Sequence, residues 1–139
     1  MREIVTEIDI NASPSRVWQI LTEFSAYPNW NPFARRIEGK LEVGSKLEVV
    51  LKPPKAKGMT FRPVVLKAKP NEEFRWLGKL GGLGFLFTGE HFFILKPTRE
   101  NATRLVHGEK FTGLLTSLLW KSIDTDSRQG FIQFNEALK

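Results

Sequence analysis

The chain has no cysteine among its 139 residues. Disulfide staples, thiolate metal sites and a cysteine nucleophile are therefore excluded. It has only two histidines, so imidazole chemistry is confined to His91 and His107. Tyrosine occurs once, against 11 phenylalanines and 4 tryptophans. Aromatic bulk of that kind fills a core or lines a greasy cavity. No apolar run approaches the roughly 20 residues of a membrane span. The opening Met1-Arg2-Glu3-Ile4 carries no apolar signal core. A cytoplasmic protein without stable membrane insertion is expected. No HExxH, nucleophile elbow or phosphate loop is present. Gly81-Gly82-Leu83-Gly84 lacks the GxGxxG order and reads as a hinge or hairpin loop.

The length fits one domain over residues 1–139, large enough to bury a core without staples. Net charge is +6 with a pI near 9.8. The basic residues are scattered, and the densest groups are Lys52–Lys57 and Arg35-Arg36. Neither interleaves with aromatics, so a solvated basic exterior is expected, with no nucleic-acid partner. The expected state is a monomer or homodimer.

Periodicity orders the chain as strand, helix, short helix, about six strands and one long helix. Residues 3–11 read as a strand. Ser13-Pro14 starts a helix, with Ser as cap and Pro at the first helical position. Val17, Trp18, Leu21 and Phe24 keep helical spacing, and Tyr27-Pro28 should end that helix. Strands are expected over Ile37–Leu41, Lys46–Lys52, Thr60–Lys69, Glu73–Lys79, Phe85–Lys96 and Ala102–Phe111. From Gly113 to Lys139, Leu115, Leu118, Leu119, Ile123, Phe131, Phe134 and Leu138 fall on one helical stripe. Short loops between strands imply an antiparallel sheet and an α+β fold.

Period two sorts the strands into faces. One face of the next-to-last strand carries Phe85, Phe87, Gly89, His91, Phe93 and Leu95. One face of the last carries Thr103, Leu105, His107, Glu109 and Phe111. Both should point at the long helix. His91, His107 and Glu109 then leave three roles open: hydrogen bonding inside a partly wet cavity or to one another across strands, contact with a ligand, or metal and acid–base chemistry. Trp18 belongs to the core. Trp30 lies in a Pro-rich turn, Trp76 in mid-strand and Trp120 off the main stripe of the long helix.

Five segments carry a family resemblance, three of them in the first third of the chain. Those three are Ile8-Asp9-Ile10-Asn11-Ala12-Ser13-Pro14-Ser15-Arg16-Val17-Trp18, Tyr27-Pro28-Asn29-Trp30-Asn31-Pro32-Phe33, and Gly39-Lys40-Leu41-Glu42-Val43-Gly44. With Gly89-Glu90-His91-Phe92-Phe93 and Thr103-Arg104-Leu105-Val106-His107, they resemble the START-related, birch-pollen-allergen-like superfamily. The polyketide cyclase/dehydrase and lipid-transport branch is the most similar. The resemblance implies a helix-grip fold: a curved antiparallel sheet of about seven strands around the C-terminal helix, with two short helices after strand one. It also implies a cavity for a lipid, polyketide or quinone between sheet and helix.

The expected function is carriage or sensing of such a small hydrophobic molecule. Its walls would be Trp30, Trp76, Phe85, Phe87, Phe93, Phe111 and Trp120, with His91, His107 and Glu109 orienting one polar group. Gly130 and Ser127 would leave it room. The alternative is a cyclase or dehydratase in which His91 or His107 moves protons with Glu109. No cofactor and no metal are expected.

Overall fold

A computed structural model describes residues 2–52, 59–79, 88–99, 101–113 and 128–139. The first strand, β1 (Arg2–Ile10), leads into helix α1 (Pro14–Thr22). The Ser13 hydroxyl accepts the Arg16 backbone N–H and caps α1. Val17, Trp18 and Leu21 form its buried side. This helix ends at Thr22, earlier than Tyr27-Pro28. A 3-10 turn at Phe24–Ala26 follows, and Tyr27-Pro28 opens a second helix, α2 (Tyr27–Trp30). Proline restricts the residue before it, yet its own missing N–H suits a helix start. The second effect wins here, because the Tyr27 ring is anchored: its hydroxyl donates to the Leu21 carbonyl inside the core.

The remaining strands are β2 (Ala34–Glu38), β3 (Glu48–Leu51), β4 (Met59–Phe61), β5 (Val64–Lys69), β6 (Glu73–Lys79), β7 (Thr88–Arg99) and β8 (Ala102–Thr112). They form a five-stranded sheet in the order β1-β8-β7-β6-β5 and a three-stranded sheet in the order β2-β3-β4, with every pair antiparallel. Sequence periodicity gives Thr60–Lys69 as one strand, and the structure splits it into β4 and β5. Pro63 is the cause, since it has no N–H for a ladder and marks the point where the chain changes sheet. Its carbonyl instead accepts the Leu47 N–H at 2.9 Å, and a bridge from Lys46 to Val64 ties the two sheets together. Asn71 turns β5 into β6 with φ +65, a left-handed conformation that asparagine tolerates.

Residues 128–138 are helical and bury Phe131, Phe134, Asn135 and Leu138. The earlier part of the predicted helix, residues 114–127, lies outside the described residues, and with it Leu115, Leu118, Leu119, Ile123 and Ser127. Phe134 packs edge-on against Tyr27 and Trp30, and Phe131 against Phe33. Gly130 does not leave a ligand room. A Cβ placed there would lie 2.2 Å from the Phe33 ring, so the missing side chain admits Phe33 and not a guest. Gly130→Ala should therefore destabilise the fold by about 1–2 kcal/mol, overpacking outweighing the gain in helix propensity. Urea unfolding checks this, and an unchanged midpoint would refute it.

Candidate functional site: a buried chain of hydrogen bonds

Register places the polar residues in two adjacent rows on the face turned to the C-terminal helix. Trp76, His91 and Glu109 sit opposite one another across β6, β7 and β8, and Ile4 of β1 follows Glu109. The next row runs Phe74, Phe93, His107 and Thr6. Diagonal neighbours in such rows lie within reach of long side chains. The two histidines, 16 residues apart in sequence, therefore meet: His91 Nε2 is 2.6 Å from His107 Nε2. Their other ring nitrogens point in opposite directions along the interior. His91 Nδ1 lies 3.1 Å from Glu109 Oε1, and His107 Nδ1 lies 2.8 Å from Asn135 Oδ1.

The chain continues past Asn135. Its Nδ2 donates to Thr6 Oγ1 at 2.8 Å, and the Thr6 hydroxyl donates to the His107 carbonyl at 2.8 Å. Five side chains from β1, β7, β8 and the C-terminal helix thus share one line of hydrogen bonds. His91 is 2% exposed and His107 is sealed. Aromatic rings enclose both. Trp76 stacks on His91, while Phe93 and Phe131 stack on His107.

Donor counting gives the line a direction. The Thr6 hydroxyl has one proton, and it goes to the carbonyl. Thr6 Oγ1 must then accept from Asn135, which turns Asn135 Oδ1 toward His107 as an acceptor. His107 accordingly carries its proton on Nδ1 and accepts on Nε2. His91 must donate from Nε2, which leaves a lone pair on Nδ1. That lone pair requires a proton on Glu109. Burial supplies the matching protonation states. It pushes the Glu109 carboxyl up to about 8 and His91 down to about 3. It also holds His107 well below the ordinary imidazole range, helped by the neighbouring His91. At neutral pH the close His91–Glu109 contact is thus a hydrogen bond between neutral groups, not an ion pair.

Glu109 is the open end of the line. Its side chain is 17% exposed, against 2% for His91. Oε2 has no hydrogen-bond partner among the described residues. It lies over Gly89, where an added Cβ would stand 2.0 Å away, so the glycine makes the niche that holds the carboxyl. The 2.6 Å between the two imidazole nitrogens is a hydrogen-bond length. Two nitrogens on one zinc ion would stand roughly 3.3 Å apart, given Zn–N bonds near 2.0–2.1 Å. Among the described residues no cluster of three His, Asp or Glu is arranged to hold a metal ion.

Of the residues singled out from sequence, Trp76, His91, Phe93, His107, Glu109 and Phe111 lie together on this inner face. Trp30 is half-buried and packs on Tyr27 and Phe134, on the helix side of the interior. Phe85, Phe87 and Trp120 lie outside the described residues, as does Gly81-Gly82-Leu83-Gly84. Sequence reading overlooked Thr6 and Asn135. Both carried a signal. Thr6 interrupts the inward series Ile4, Ile8, Ile10, and Asn135 falls four residues after Phe131 on the buried stripe. An open cleft of about 300 Å³ lies elsewhere, between the end of β1, α1 and Leu138. None of the predicted site residues lines it. No helix among the described residues is long and apolar enough to cross a membrane.

Residues 1–123 match the family model described as polyketide cyclase / dehydrase and lipid transport. No curated protein matches the sequence. Several solved structures share the fold. A Mesorhizobium loti protein is 21% identical with a TM-score of 0.73, over 99% of this chain and 96% of that one. A START superfamily protein from Mycobacterium smegmatis is 17% identical with a TM-score of 0.74, over 98% and 93%. Norcoclaurine synthase from Thalictrum flavum, solved with dopamine and hydroxybenzaldehyde, is 14% identical with a TM-score of 0.73, over 99% and 83%.

Proposed function

The chain belongs to the polyketide cyclase / dehydrase and lipid transport family, and on that premise we propose that it binds a small hydrophobic molecule between sheet and C-terminal helix, as a carrier or sensor. One observation carries the reading: a single uncharged carboxyl, Glu109, whose second oxygen has no partner among the described residues, on an inner face rich in aromatic rings. Phe111 follows it on the same face of β8, Ile4 lies beside it on β1, and Trp76 stands beyond His91. A largely apolar wall with one or two placed polar groups is the usual make-up of a small-molecule site. Phe131 and Phe134 close over His107 and Phe93, so the guest belongs at the Glu109 end of the rows. His107 and Phe93 then support the wall from behind.

Native mass spectrometry of the purified full chain should reveal a bound compound that organic extraction removes. After extraction, a short-chain quinone should quench Trp76 fluorescence saturably. A response that only grows linearly with quinone, with no extractable compound, would sink this reading.

A second reading is acid–base catalysis on the bound molecule. What favours it is a carboxyl that still holds its proton near neutral pH, as a general acid must. Both nitrogens of each histidine are already engaged, so Glu109 is the group placed to touch a substrate. His91 and His107 would act through it.

A further inference from the structure

The direction of the hydrogen-bond line is set at the end remote from Glu109. Reversing it would require His107 to accept on Nδ1, which needs Asn135 to present its NH2 there. Asn135 Oδ1 would then face Thr6, and the Thr6 hydroxyl would have to leave the His107 carbonyl, which sits 2.8 Å away. Two acceptors would be left facing each other inside the core, at a cost of about 1–3 kcal/mol. The hydroxyl on β1 therefore selects the tautomer of a histidine on β7, two side chains away. With that tautomer, His91 offers Glu109 a lone pair and cannot donate to a carboxylate.

We propose that Thr6 and Asn135 are positioning residues that hold Glu109 in its proton-bearing form, so that the site takes a neutral, hydroxyl-bearing apolar molecule in preference to a carboxylate or other anion. The ligand half of this rests on the binding function proposed above. With the carboxyl proton committed to His91 Nδ1, Oε2 is left as a carbonyl-type acceptor. A ligand hydroxyl can donate to it, whereas an anionic head offers only lone pairs. Among the described residues, the groups facing Glu109 supply no counter-charge. They are neutral His91 from β7, Trp76 from β6 beyond it, Ile4 from β1 and Phe111 on β8 itself. Phe131 of the C-terminal helix covers the two imidazoles. Among the described residues no lysine or arginine pairs with Glu109. Bulk positive charge sits on the exterior, where Arg36, Arg62, Lys69 and Arg104 meet exposed or part-exposed carboxylates.

The test uses the full chain, labelled with 15N and 13C, and the variants Thr6→Val and Thr6→Ser. Long-range proton–nitrogen spectra should show His91 protonated on Nε2 and His107 on Nδ1. Thr6→Val should mix these tautomers and lower the Glu109 titration midpoint by a pH unit or more, because His91 becomes free to donate to the carboxylate. Thr6→Ser keeps the hydroxyl and should restore both. A hydroxyl that merely packs would leave tautomers and midpoint unmoved in Thr6→Val, which would overturn the proposal. So would the opposite tautomers in the unsubstituted protein, a result that needs no variant to fold. For the ligand half, 1-dodecanol and laurate are titrated at pH 6.5 against Trp fluorescence. The alcohol should bind at least tenfold more tightly. Equal or tighter laurate binding overturns the selectivity. Uptake of neither probe overturns the binding function and the selectivity with it, while tautomers and midpoint still decide the roles of Thr6 and Asn135.

Discussion

His107→Ala is expected to remove about 4–6 kcal/mol of folding stability, combining the loss of a buried ring with two orphaned polar groups. The ring is sealed and stacked between Phe93 and Phe131, so its removal leaves a cavity that rigid neighbours cannot fill. The His91 Nε2 donor and the Asn135 Oδ1 acceptor lose their shared partner as well. Domains of this size hold a net stability of about 5–15 kcal/mol, so the variant should lose a large fraction of it. His107→Phe separates the two contributions. It keeps a ring in the stack and still orphans both polar groups, so it should cost less than alanine and clearly more than zero. Urea unfolding at pH 6.5 measures both variants. If His107→Phe matches the unsubstituted protein, the hydrogen-bond line contributes nothing to stability.

The inner faces of β7 and β8 were legible in the sequence because period two is a strict rule within a strand. His91, Phe93, His107, Glu109 and Phe111 could be assigned to one side without knowing any partner. Contacts among them across strands were open from the sequence, but which residue meets which was not legible. Whether His91 sits opposite Glu109 or opposite His107 depends on register, and register is fixed by the turn at Asn101 and by burial of both strands at once. Thr6 and Asn135 were harder still, since their meeting joins residues 129 apart in sequence. A polar residue on an apolar stripe signals an obligatory partner but not which one. Pro63 is the reverse case: a local signal for a strand break, outvoted by the β-branched residues around it. Gly130 shows how a small residue can mislead. Its missing Cβ reads as space from sequence alone, and the fold fills that space with Phe33.

Stability should peak near pH 6.5 and fall on both sides. His91 is held at about 3 in the folded protein against 6.5 when free, and His107 is also held low. Between those limits the unfolded chain binds protons that the folded one refuses, so the histidines' contribution is complete above 6.5 and lost as pH falls toward 3. Glu109 has the opposite sign. Its folded value of about 8 lies above the free value of 4.5, so its contribution is complete below 4.5 and lost as pH rises toward 8. Between 4.5 and 6.5 the two histidines outweigh the one carboxyl, and stability still rises with pH. Above 6.5 only Glu109 remains, and stability should drop by up to about 1.4 kcal/mol per pH unit until roughly pH 8. Glu109→Gln is the decisive variant. A carboxamide N–H can donate to His91 Nδ1 as the protonated acid does, so the line keeps its direction with nothing left to titrate at that end. Urea unfolding from pH 5 to 9 should then show the alkaline fall in the unsubstituted protein and a plateau in Glu109→Gln, with the acidic fall kept in both. An alkaline fall that survives the substitution would place the titrating group elsewhere and return Glu109 to an ordinary ionised carboxylate.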